Sequence, residues 1–194
     1  MISPSKIKVV IVGNQPYANV NLEQGYALGA PTMEPSLSII LKEIIRTEIL
    51  NEQNPDVDAI KNRYNKIVSE KLFDPLLTSW SEQGVLLINS ALTCEEDNPT
   101  SHIELWKPFM TGLINAIALH NLELDALTTE PIIFVLMGSN AHFFEKFTHP
   151  NLNICFKTIH PGTESYCGNF IGNNLFKNIN MQLNRFKKEE IKWI

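Results

Sequence analysis

The chain has 194 residues and a mass of 22.0 kDa, which favours one domain or one domain with an insertion. Its 44% hydrophobic and 19% charged residues are enough for a real core and exclude wholesale disorder. A net charge of −5 argues against binding nucleic acid through bulk charge, although an acidic protein can still carry a local basic face.

The first element is the β-branched run Ile7–Val12, which ends at Gly13 and reads as a buried strand. Pro35-Ser36 starts a helix whose Leu37, Ile40, Leu41, Ile44 and Ile45 share one face. Asp56 to Trp80 is mostly polar and helical, with a break at Asp74-Pro75. Val85–Asn89 is the second strand. A helix over Leu105–Leu119 follows Ser101-His102. Ile132–Met137 is the third strand, closed by Gly138, and Ser139–Phe147 is a short helix. Asn153–Thr158 is the fourth strand, and Asn173–Lys188 closes the chain with Leu175, Ile179, Leu183 and Phe186 on one side. Strands alternating with helices predict a three-layer α/β/α fold around a four-stranded parallel sheet, in a single domain spanning 1–194.

No apolar run reaches the roughly 18 to 20 residues that a membrane span needs. The start, Met1-Ile2-Ser3-Pro4-Ser5-Lys6, lacks a signal peptide's apolar stretch. A cytoplasmic protein is expected, or a nuclear one in a eukaryotic or viral setting. Cys94, Cys155 and Cys167 read as inert free thiols. His142 and His149 lack metal-ligand spacing, and neither a metal nor a cofactor is expected. Lys187-Lys188 reads as a solvated helix end.

Ligands of such sheets sit at the carboxyl ends of the strands. That rule selects Gly13-Asn14-Gln15-Pro16-Tyr17, Asn89, Gly138-Ser139-Asn140 and His160-Pro161-Gly162. Taken alone, each has a plain reading as well: His160 as a loop histidine, Asn89 as a turn cap, Tyr17 as rim packing.

These segments, in this order, resemble the family-1 uracil-DNA glycosylases. Gly13-Asn14-Gln15-Pro16-Tyr17-Ala18 stands where that family has G-Q-D-P-Y-H, and Gly25-Tyr26-Ala27-Leu28 where it has G-L-A-F. Pro35-Ser36-Leu37 is similar to its proline-serine loop, and Trp80–Asn89 to W-x-x-Q-G-V-L-L-L-N. Ser101-His102 recurs. Met137–Ala141 looks like W-G-S-x-A, His160–Ser165 like H-P-S-P-L-S, Asn169–Gly172 like G-F-F-G, and Glu190–Trp193 echoes P-I-D-W. The resemblance runs from Ile7 to Trp193. It lacks the family's N-terminal helical region and makes residues near 51–76 a helical insertion.

The resemblance implies a protein that flips a uracil out of DNA and hydrolyses its N-glycosidic bond. Gln15 and His160 would be catalytic, Gln15 as holder of the water and His160 as donor to the departing base. Asn89, Tyr17, Leu28 and Asn14 would bind the base. Pro35, Ser36, Ser101, His102, Gly162 and Glu164 would lie on DNA-contacting loops. Several family positions are changed. Gln15 replaces an aspartate, so it supplies no negative charge and no base near neutral pH. Leu28 replaces a stacking phenylalanine, Glu164 a leucine wedge, Gly162 a serine that grips phosphate and Ala18 a histidine, and Gly168 stands where an arginine is common. Glu164 therefore reads as a solvated loop charge. Three functions follow: a glycosylase with altered or weakened chemistry, a non-catalytic relative that binds DNA or a protein partner, or an enzyme releasing a modified pyrimidine into the space left by Leu28. The expected partner is DNA, single-stranded or duplex with a flipped base. The insertion's stripe of Tyr64, Ile67, Val68, Leu72 and Phe73 offers a surface for a protein partner.

Overall fold

The computed structural model describes residues 2–49, 56–120 and 130–194. Its centre is four short strands, β1 (Val9–Gly13), β2 (Val85–Asn89), β3 (Ile133–Met137) and β4 (Ile154–Thr158). All pairings are parallel, in the order β2-β1-β3-β4. Side chains alternate across the sheet. Val9, Ile11, Val85, Leu87, Ile133, Val135 and Met137 enter one core, and Val10, Val12, Phe134 and Leu136 the other. Strands buried on both faces need apolar residues at odd and even positions alike, which is why these segments read as continuous runs.

The first core is covered by α1 (Pro35–Ile44), α2 (Val57–Ser69), α3 (Thr78–Glu82) and α7 (Leu175–Arg185). Leu37, Ile40, Leu41 and Ile44 of α1 meet Leu175, Phe176, Ile179 and Leu183 of α7 there, on the faces that the spacing predicts. The second core is covered by α4 (Ile103–Leu119) and the single turn α5 (Ser139–His142), through Met110, Ile114, Ala118 and Ala141. A further short turn, α6 (Glu164–Cys167), follows β4. The expected α/β/α layering is observed. No helix of the described residues is long and apolar enough to cross a membrane.

Boundaries shift where side chains compete with the helix. The polar stretch expected to break at Asp74-Pro75 ends as a helix at Ser69. The Asp74 carboxylate accepts from the backbone N–H of Leu76 and of Thr78, at 2.9 and 2.8 Å, and restarts the chain as α3. Of the expected insertion near 51–76, residues 51–55 lie outside the described residues. Its apolar stripe is largely used internally. Ile67 and Phe73 are buried in the first core, and Tyr64 packs against that core with its hydroxyl 2.9 Å from Ser38 Oγ. Val68 and Leu72 remain exposed. Lys188 corrects the reading of a solvated helix end: its Nζ donates to Pro131 O at 3.2 Å and pairs with Glu130 at 3.1 Å.

The strand order carries the functional consequence. β1 lies between β2 and β3, so the chain leaves β1 toward one side and β3 toward the other. The crevice between those loops is the topological switch point, where such sheets bind ligands.

Candidate active site

The floor of the candidate site is made by two neighbouring strand ends, those of β1 and β2, beside the switch point. Gly13 and Asn89 are register partners across β1 and β2. Asn89 is 7% exposed, and its Oδ1 is buried with no hydrogen-bond partner. A Cβ on Gly13 would lie 2.4 Å from that oxygen, so only glycine leaves the amide in place. Ser90 secures the turn by donating its N–H and its hydroxyl to Gly13 O, at 2.9 and 2.8 Å. A buried acceptor without a partner costs roughly 1–3 kcal/mol, so this atom is poised to gain from a donor brought by a ligand.

The loop after β1 is held from within. Tyr17 donates its hydroxyl to Leu28 O at 3.0 Å, and Glu23 accepts from the N–H groups of Tyr17 and Gly25 at 3.0 and 2.9 Å. Burial, then the carboxylates of Glu34 and Glu23, push the Tyr17 pKa up to about 12, so the phenol keeps its proton. Leu28 is 5% exposed at φ +70°, an uncommon conformation for a residue with a side chain. Cys94 reaches the same loop, its thiol 3.6 Å from Tyr17 O. Burial, then Glu23, push that thiol's pKa up, away from the reactive thiolate.

Gln15, half-buried, does not stand alone. Asn14 Nδ2 donates to Gln15 Oε1 at 2.8 Å, and Asn14 Oδ1 accepts from the backbone N–H of Asn140 at 3.0 Å. The loops after β1 and β3 are thereby joined across the switch point.

His160 faces a turn that fixes its tautomer. The N–H of Gly162 donates to Nδ1 at 3.1 Å, so in the neutral ring Nε2 carries the proton. Burial lowers the pKa, which keeps the ring neutral. A Cβ on Gly162 would lie 2.9 Å from Ser36 Oγ. The glycine that replaces the family's serine thus lets α1 close on the histidine turn. Pro35 is the first residue of α1, and Ser36 beside it is buried.

The remaining loop residues spend their polar atoms on their own chain. Glu164 is not the solvated charge expected from sequence. It accepts from the N–H groups of Phe170 and Ile171 at 2.7 and 3.3 Å and closes that loop. Ser101 Oγ accepts from Glu95 N at 2.8 Å. His102 Nδ1 lies 3.0 Å from Thr93 Oγ1, which also accepts from Trp106 Nε1 at 2.8 Å. Sequence reasoning missed Glu43, which is fully buried. It pairs with Arg46 at 3.0 Å and accepts from the N–H groups of Gly172 and Asn174 at 2.7 and 2.8 Å. An acidic residue inside the apolar face Leu41–Ile45, three positions before an arginine, was the available signal. Among the described residues no group of three His, Cys, Asp or Glu is placed to hold a metal.

Comparisons with known proteins identify the family and the fold. The model of the uracil DNA glycosylase superfamily matches residues 1–184. A uracil-DNA glycosylase of Mycoplasmopsis pulmonis is 31% identical over 194 residues, covering 100% of this chain and 76% of the relative. One from Pseudomonas paraeruginosa is 33% identical over 192 residues, covering 96% and 71%. Among solved structures, mimivirus uracil-DNA glycosylase superposes with a TM-score of 0.72 at 24% identity, covering 99% of this chain and 69% of that one. A UNG from Nitratifractor salsuginis does so at 0.57 and 16% identity, covering 92% and 74%. The two structures support the fold alone; the family match over residues 1–184 and the relatives above 30% identity establish that this chain belongs to the uracil-DNA glycosylase superfamily.

Proposed function

We propose that this chain hydrolyses the N-glycosidic bond of uracil, or of a related pyrimidine, in DNA, with chemistry weakened by a neutral residue at position 15. The observation that carries this reading is the buried, unpartnered Oδ1 of Asn89. A flipped pyrimidine with an N–H between two carbonyls would donate to that oxygen and accept from the neighbouring Nδ2. His160 Nε2–H would donate to the base as negative charge develops on it, while the ring stays neutral. Tyr17 would limit the space beside the base, and Leu28 would close the pocket without an aromatic stack.

In this reaction the C1′–N bond breaks with its electron pair leaving on the base. Water oxygen then bonds C1′ and releases a proton. An aspartate would favour both the cation-like sugar and the loss of that proton. Gln15 contributes only hydrogen bonds. Glu164 is engaged in its own loop, so a duplex would not be wedged open by it. The favoured substrate is therefore single-stranded or mismatched DNA, where extruding the base costs least.

The test is single-turnover uracil release from a single-stranded oligonucleotide at excess protein, comparing wild type with Asn89→Ala and Gln15→Asp. Slow release by wild type, abolished by Asn89→Ala, is expected. If wild type and Gln15→Asp both release nothing from uracil and from modified pyrimidines, the enzyme reading fails. The chain is then a non-catalytic relative that binds DNA or a protein partner.

A further inference from the structure

Asn14 is expected from the resemblance to touch the base, yet both ends of its amide are taken by the protein. The polarity of this arrangement follows from a backbone group. Asn14 accepts from the main-chain N–H of Asn140, which can only donate, so the atom at that end is Oδ1. The opposite end is then Nδ2, and the Gln15 atom 2.8 Å from it must be Oε1. Gln15 Nε2 has no protein partner among the described residues. Room for the relay comes from Gly138, where φ is +92° and a Cβ would lie 2.7 Å from Asn14 Oδ1.

We propose that Asn14 is a positioning residue for the glycosylase reaction: through the relay Asn140 N–H to Asn14 to Gln15, it holds Gln15 with its oxygen occupied and its NH2 as the open end. This rests on the functional reading given above and identifies why that chemistry is weak. A water that accepts from an N–H donor commits one of its two lone pairs and loses electron density, which makes it a poorer nucleophile toward the sugar. A water donating to an oxygen keeps its lone pairs for the sugar. The relay thus selects the orientation of Gln15 less suited to activating water, and the limit is set by position 14 as well as position 15.

The test is one substitution read in two backgrounds. Asn14→Asp keeps an acceptor for Asn140 N–H but offers Gln15 only oxygen. Gln15 must then turn over to donate, which makes Oε1 the open end. Single-turnover uracil release is expected to rise about tenfold, less than the roughly 10²–10⁴-fold of a general base, because an amide oxygen orients water without taking its proton. Gln15→Glu preserves the reach to Asn14 and leaves a second carboxylate oxygen open, so it too is expected to exceed wild type. Adding Asn14→Asp to Gln15→Glu sets two carboxylates face to face, and release is expected to fall by about tenfold or more from the Gln15→Glu rate. Effects of the same sign in both backgrounds overturn the relay, because direct contact between the two side chains requires Asn14→Asp to help an amide at position 15 and to hurt a carboxylate there.

If no variant releases uracil, the functional reading fails, and the relay is judged separately from nitrogen-15 spectra of the full chain. The Gln15 side-chain NH2 signals are expected to move downfield in Asn14→Asp. The Asn14 NH2 signals are expected to do so in Gln15→Glu, which covers the case where Asn14→Asp does not fold. Unmoved signals in the folded variants overturn the proposal.

Discussion

The floor of the candidate site and the loops that rim it treat their polar groups in opposite ways. On the floor, Asn89 Oδ1 is buried and unpaired, and Gly13 is small so that it can stay there. On the rim, Glu164, Ser101 and His102 are already bonded within their own loops. A polar atom left unpaired in a buried place is tolerated when a ligand satisfies it, whereas a satisfied one has little to offer a ligand. On the proposed function, the molecule keeps the part of the site that would recognise a base and has turned inward much of the part that would grip a duplex.

The largest effect expected from testing this contrast is on the anchor beneath the rim. Glu43→Ala removes the carboxylate that caps Gly172 and Asn174 and takes away the charge with which Arg46 pairs inside the protein. Breaking such a buried pair costs about 3–5 kcal/mol, visible as a lowered chemical-denaturation midpoint. The floor comes next. Asn89→Ala is expected to lower single-turnover release about 10²–10³-fold, as loss of a preorganised polar group does, with the denaturation midpoint nearly unchanged. Unfolding instead of inactivity would make Asn89 structural and erase the contrast.

Glu164→Ala should act in the reverse sense. It frees the N–H groups of Phe170 and Ile171 and costs about 1 kcal/mol of stability. Release from single strands should hold within about twofold, a change of a few tenths of a kcal/mol. A large loss of release would return Glu164 to the substrate.

The smallest effect is the pH dependence near neutrality. Burial lowers the folded-state pKa of His160 from its ordinary 6.5, so the unfolded chain takes up the proton first as pH falls. Stability from this group is fully present above about pH 6.5 and declines below it toward the lowered folded value. Protonation also displaces the Gly162 N–H from Nδ1. Release should be flat between pH 7 and 8 and fall on the acid side, measured as a pH–rate profile against His160→Gln. A rate that rises on acidification would mean that the imidazolium is the working form.

Much of the fold was legible because its signals are local. The runs Val85–Leu87 and Ile133–Met137 are apolar at every position, which a parallel strand covered on both faces requires. The faces of α1 and α7 followed from helical spacing. Less legible were the ends of elements, where one side chain diverts the backbone, as Asp74 does after α2. The rule that places sites at strand ends brought Gln15, Asn89 and His160 into view, but it does not say which polar atoms are already used. Glu164 and Asn14 each look like available groups in a motif. Their partners, six or more than a hundred positions away, are supplied by the fold.

By itself, then, the sequence determined the layering, the faces of the long helices and which candidate residues follow the strand ends, because burial patterns and strand-end positions are written in short stretches of chain. Only the tertiary structure decided the state of those residues. The vacant acceptor of Asn89, the tautomer of His160, the orientation of Gln15 and the inward turn of Glu164 depend on individual hydrogen bonds. Such bonds are decided by angles and by distances of about 3 Å between groups that the fold brings together, and no periodicity along the chain encodes them.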